Sequence, residues 1–91
     1  MPGEVDYTHR GLMKLMLKMP ALRGSLQVIS RRNPEILNLC GAYEEASLML
    51  ERLVRENSPS NRARIEEYRN ICREIEDEII SICYDDQSTV E

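Results

Sequence analysis

The sequence predicts an all-α fold, an antiparallel three-helix bundle, and three observations carry that prediction. Three stretches repeat one apolar spacing of three, four, three, four, three: Leu12, Leu15, Met19, Leu22, Leu26, Ile29; then Ile36, Leu39, Tyr43, Ala46, Leu50, Leu53; then Ile65, Tyr68, Cys72, Ile75, Ile79, Ile82. At about 100° per residue this spacing draws a narrow apolar stripe down a helix, and such stripes pack seam to seam. Pro34 and Pro59 fall between the stripes, where new helices begin. The only aromatic residues are four tyrosines, so the core is aliphatic and rich in methionine, which suits helices better than a sheet.

The first helix is read as 8–31. Pro20 removes a backbone donor and crowds the carbonyl of Met16, and Gly24 weakens the following turn. Because the stripe continues in phase across the proline, the expectation is one helix kinked at residue 19 or 20, with a break into 8–18 and 21–31 as the alternative. The second helix, 34–56, opens on Asn33-Pro34-Glu35: an N-cap, a proline at the first helical position and an acid in the first turn. Arg31 and Arg32 fall at the end of the preceding helix, favourable to its negative pole. The third helix, 59–84, opens on Asn57-Ser58-Pro59-Ser60-Asn61, with Ser58 or Ser60 as cap. Both connections are short, which favours antiparallel neighbours and a coiled-coil-like hairpin of 34–56 with 59–84. Among the residues expected to be most buried are Leu39, Leu50, Leu53, Ile65, Cys72, Ile75 and Ile79.

At 91 residues the chain is read as a single domain, 1–91, close to the smallest size that one core supports without disulfides or metal. The polar ends, 1–7 and 85–91, are expected to lack fixed structure. No stretch approaches the roughly 18 apolar residues of a membrane span. Three cysteines cannot pair completely and no secretory pattern precedes them, so reduced thiols in the cytoplasm are the expectation. Charge is uneven. Residues 1–34 hold six Arg or Lys against two acids, a balance of +4, whereas residues 35–91 hold six against fourteen, a balance of -8. A basic first segment can therefore lie against an acidic remainder of the same chain.

No pattern of catalysis or cofactor binding emerges. His9 is the only histidine, placed near a helix start without a nucleophile signature. Cys40, Cys72 and Cys83 lack Cys-x-x-Cys or zinc-ligand spacing and read as packing thiols. Glu74, Glu76, Asp77 and Glu78, with Glu44 and Glu45, lack the Glu-x-x-His of di-metal bundles and read as solvated faces. The four glycines form no phosphate loop. The expectation is a chain with no catalytic residue, no cofactor and no metal.

The most suggestive feature is surplus apolar surface. Met13, Leu17, Ala21 and Val28 lie roughly opposite the first stripe, and Leu37 and Leu48, eleven apart, stand away from the second. A helix apolar on two faces needs cover on both, unless a bend at Pro20 turns its halves toward one core. These six residues are the expected interface of a non-enzymatic interaction domain, an adaptor or regulator that binds a protein partner or its own copy. The alternative is nucleic-acid binding through a basic ridge, Arg10, Lys14 and Lys18, recurring every four residues. The overall acidity and the lack of a helix-turn-helix pattern disfavour it. The same ridge could instead meet the acidic second and third helices.

Overall fold

The computed structural model describes residues 6–88, with side chains through Asp85. Among the described residues the fold is a helical bundle without strands: α1 (Tyr7–Lys18), a 3-10 turn (Pro20–Leu22), α2 (Arg23–Ile29), α3 (Pro34–Glu56), a second 3-10 turn (Pro59–Asn61) and α4 (Arg62–Ser88). The tail boundaries differ from expectation. Asp6 is the N-cap of α1, its carboxylate accepting from the His9 amide at 3.0 Å, and α4 continues through 85–88. The remaining tail positions, 1–5 and 89–91, lie outside the described residues.

The corners form as their local chemistry dictates. The Asn33 side chain accepts from the amides of Glu35 (2.9 Å) and Ile36 (3.3 Å), and Pro34 supplies the first helical position. At the other end of α3, Asn57 adopts φ 52°, and its amide donates to the Leu53 carbonyl at 3.2 Å. Ser58 then caps the following turn through the Ser60 amide. α3 and α4 run antiparallel: Tyr43 meets Glu76, Leu50 lies with Arg69 and Cys72, and Val54 lies with Ile65.

At Pro20 the first arm breaks rather than kinks, the second of the two outcomes left open by the sequence. Met19 leaves helical geometry (φ -124°, ψ 71°), and its amide closes α1 on the Leu15 carbonyl. Proline cannot extend that ladder, so the chain makes one 3-10 turn and starts again as α2. The break changes the packing. Thr8 and Gly11 meet Gly41 and Cys40, Lys14 meets Glu44 and Ser47, and Lys18 borders Leu50. α1 therefore runs in the same sense as α3, while α2 turns back toward α4.

The core joins Leu15, Met16, Leu26, Ile29, Ile36, Cys40, Tyr43, Ala46, Cys72, Ile75, Ile79 and Cys83. Leu53, Cys72, Ile75 and Ile79 are buried as the stripes require, whereas Leu39, Leu50 and Ile65 are only partly buried. For Leu50 and Ile65 the reason is length: α1 has 12 residues, about 18 Å, and lies beside an α3 of 23 residues, about 35 Å, so the far part of the hairpin is left with two layers.

Candidate functional site

The apolar surplus stays on the surface. Leu17 is 76% exposed and Val28 51%, and Met13, Ala21, Leu37 and Leu48 are also exposed. The six residues are distributed over four places: Met13 and Leu17 on α1, Ala21 in the turn, Val28 on α2, and Leu37 and Leu48 on α3. Of them, Ala21 lines a shallow apolar groove of about 350 Å³, formed by Met19, Pro20, Ala21 and Leu22 against Ile80 and Tyr84 of α4. Tyr84 is itself largely exposed and had no place in the apolar spacing, so sequence reasoning missed it. The groove exists because the broken chain crosses α4 at the turn.

The basic ridge divides. Arg10 and Lys18 are exposed and Lys14 is half-buried, but Lys14 and Lys18 are both engaged with acids of the other helices. The Lys14 ammonium stands 3.0 Å from Oε1 of Glu44 and 3.7 Å from Oε2 of Glu51, and donates to the Ser47 hydroxyl at 2.8 Å. Ser47 in turn donates to the Glu44 carbonyl. Glu44 is fully buried, and its Oε1 takes no hydrogen bond, so its pairing with Lys14 rests on charge. Lys18 donates to Oε2 of Glu76 at 2.7 Å, and the Tyr43 hydroxyl donates to the same oxygen at 2.6 Å. Glu44 and Glu76, read from sequence as parts of solvated faces, are thus interior partners of the first helix. The readable trace was the matched spacing Gly11-x-x-Lys14 and Gly41-x-x-Glu44. Gly11 lets the helices approach at that point, and each charge follows its glycine one turn later.

Burial also sets the chemistry of the core hydroxyl and thiols. Burial pushes the Cys40 thiol up to about 11, and raises Cys72 as well, with the Glu76 charge adding to it. Tyr43 is raised by burial first, then by its hydrogen bond to Glu76 and that carboxylate's charge. A thiol at such a value holds little thiolate at neutral pH, which is the reactive form. All three cysteines are buried and take part in no disulfide among the described residues, and His9 is exposed at the start of α1. Among the described residues no group of three or more His, Cys, Asp or Glu is placed to hold a metal ion. Nor is any helix there long and apolar enough to cross a membrane.

Comparison with protein-family models, with curated proteins and with solved structures returned no match to this chain. Its class is that of a small helical bundle, and the surfaces described here are the basis for reading a role.

Proposed function

We propose that this chain is a non-enzymatic, cytoplasmic protein-interaction module, an adaptor or regulator that associates with a second copy of itself. One observation carries the reading: Leu17, a large aliphatic side chain, is 76% exposed on α1, and the turn that follows adds an open apolar groove lined by Ala21 and Tyr84. Exposed apolar area that a partner can cover favours association, which adds burial to a core that is small for a lone domain. Met13, 41% exposed one turn before Leu17, adds a flexible side chain that adapts to an opposing surface. The turn of Lys14 and Lys18 toward Glu44 and Glu76 weighs against the nucleic-acid alternative, since charges engaged internally are poor phosphate ligands.

Size-exclusion chromatography with light scattering tests this on wild type and Leu17→Glu. A wild type larger than a monomer at high micromolar concentration, reduced to a monomer by the substitution, supports the reading. A wild type that stays monomeric, with the variant unchanged, overturns self-association.

A further inference from the structure

A second surface, on the opposite part of the hairpin, points to a different occupant. α1 ends at Lys18, beside Leu50, Cys72 and Glu76, and the chain then turns away at Pro20. From Leu50 to Asn57, about 10 Å of helix axis, α3 and α4 carry no third helix among the described residues. Two clefts open there. One, of about 230 Å³, lies next to Lys18, and the other, of about 450 Å³, lies next to the Asn57 turn. Arg69 borders both, so the two clefts adjoin along α4 and are taken together as one groove.

The groove has an apolar floor and a cationic rim. Leu50, Val54 and Ile65 supply the floor, with Val54 47% exposed and the other two half-buried. Arg62, Arg69 and Arg73, spaced seven and four apart on one face of α4, supply the rim together with Lys18. Against these four cations stand Glu66 and Glu76, a local balance of +2 in a chain whose net charge is -4. Glu66 is paired with Arg69 at 3.5 Å and Glu76 with Lys18 at 2.7 Å, while Arg73 donates to the Asn70 side-chain oxygen.

We propose that this groove docks an acidic amphipathic helix of a partner protein, which restores the third layer that α1 stops short of providing. Its apolar stripe seats on Leu50, Val54 and Ile65, and its flanking carboxylates pair with the guanidinium groups of Arg62 and Arg73, whose planar donors match a carboxylate. A bare polyanion fits less well, because it gains nothing from the apolar floor and meets Glu66 and Glu76 between the cations. Leu17 lines neither cleft, so the proposal stands whether or not the chain self-associates.

The test uses two fluorescein-labelled helical peptides of about 15 residues, roughly four turns. Both carry Leu at i, i+4 and i+7, one flanked by Glu and the other by Lys. Fluorescence anisotropy is read against wild type, R62E/R73E and, as an independent arm, R69E, each checked for helicity by circular dichroism. The Glu-flanked peptide is expected to bind wild type and the Lys-flanked one not to. Affinity is expected to fall by roughly tenfold or more in R62E/R73E, and to persist in L17E. Amide shifts in the wild-type spectrum should concentrate at residues 50–73. Equal binding of the two peptides, no binding of the acidic one, indifference to both arginine reversals, or equally tight binding of a single-stranded DNA oligonucleotide would each overturn the proposal.

Discussion

Gly11 occupies its position because a Cβ there would overlap the carbonyl oxygen of Cys40, so the two backbones touch and α1 lies tight on α3. That approach brings the Lys14 ammonium down to a carboxylate sealed from water. Glu44 is 1% exposed, whereas the Lys14 side chain keeps about a third of its surface, so the carboxylate depends on the lysine more than the reverse. Removing the cation alone leaves a buried charge without its counterion. Lys14→Met is therefore expected to destabilise by about 3–5 kcal/mol, and Lys14→Met/Glu44→Leu to recover most of the loss. Urea titrations of the single and double variants check this, and equal losses in both would contradict it. Alkaline pH acts on the same layer. Cys40 keeps its proton in the folded state to about 11 but loses it near 9 when unfolded, and Tyr43 and Cys72 shift in the same direction. Stability from these groups is present in full below pH 9 and is lost as pH rises toward the folded values. Each group removes up to about 1.4 kcal/mol per pH unit. Melting temperature, flat from pH 7 to 8.5, is expected to fall steeply above pH 9, with a gentler fall in Cys40→Ala.

Among the elements, the corners were legible in the sequence and the course of the first arm was not. Asn33-Pro34-Glu35 could be read directly because capping involves three adjacent residues and no tertiary contact. Pro20 announced a disruption, but whether α1 and α2 stay collinear is decided by what each packs against, and that is not local. The in-phase stripe was consistent with both outcomes, since Leu15, Leu26 and Ile29 reach the core from two separate helices. Side-chain pairing was equally hard to read. Glu51 pairs with Lys14 and Glu56 accepts from Asn61, because partners across a turn or a helix gap compete with those along one helix, and within α4 Glu66 takes Arg69 three residues on. The exposed apolar residues were found by the pattern, whereas Tyr84 and the arginine-rimmed groove emerge only from how the helices cross. The break also sorts seam positions that look equivalent in sequence. Ile79 lies where α1, α3 and α4 are all present and is fully buried, so Ile79→Ala is expected to cost about 2–5 kcal/mol. Leu50 sits where α1 ends and is half-buried, so Leu50→Ala should cost about 1–2 kcal/mol. Chemical denaturation of the two variants side by side distinguishes this from a uniform bundle, in which the losses would match.

The whole molecule measures 51 × 32 × 19 Å, an elongated shape that follows from a long hairpin covered over part of its length. Of the most buried side chains, Leu15, Leu26, Ile29, Ile36, Cys40, Ile79 and Cys83 all belong to the covered end. Toward the Asn57 turn Leu53 is the one core side chain at a comparable level, and its neighbours Val54, Ile65 and Tyr68 retain exposure. Free energy of local opening follows the apolar area that opening exposes, so the two ends of one hairpin are held with unequal strength. Native-state hydrogen exchange reads that difference amide by amide. Amides of 52–56 and 65–70 are expected to exchange through local opening, while those of 38–46 and 74–82 exchange only on global unfolding. Since about 1.4 kcal/mol is tenfold in the opening equilibrium, even a modest deficit at the far end separates the two groups clearly. The same measurement bears on the groove: a helix seated on Leu50, Val54 and Ile65 would bury the open layer and bring the slow rates of the covered end to the Asn57 end. Protection already uniform along α3 and α4 in the isolated chain would mean that the hairpin holds itself together without a third layer, and the physical case for a missing helix would be gone.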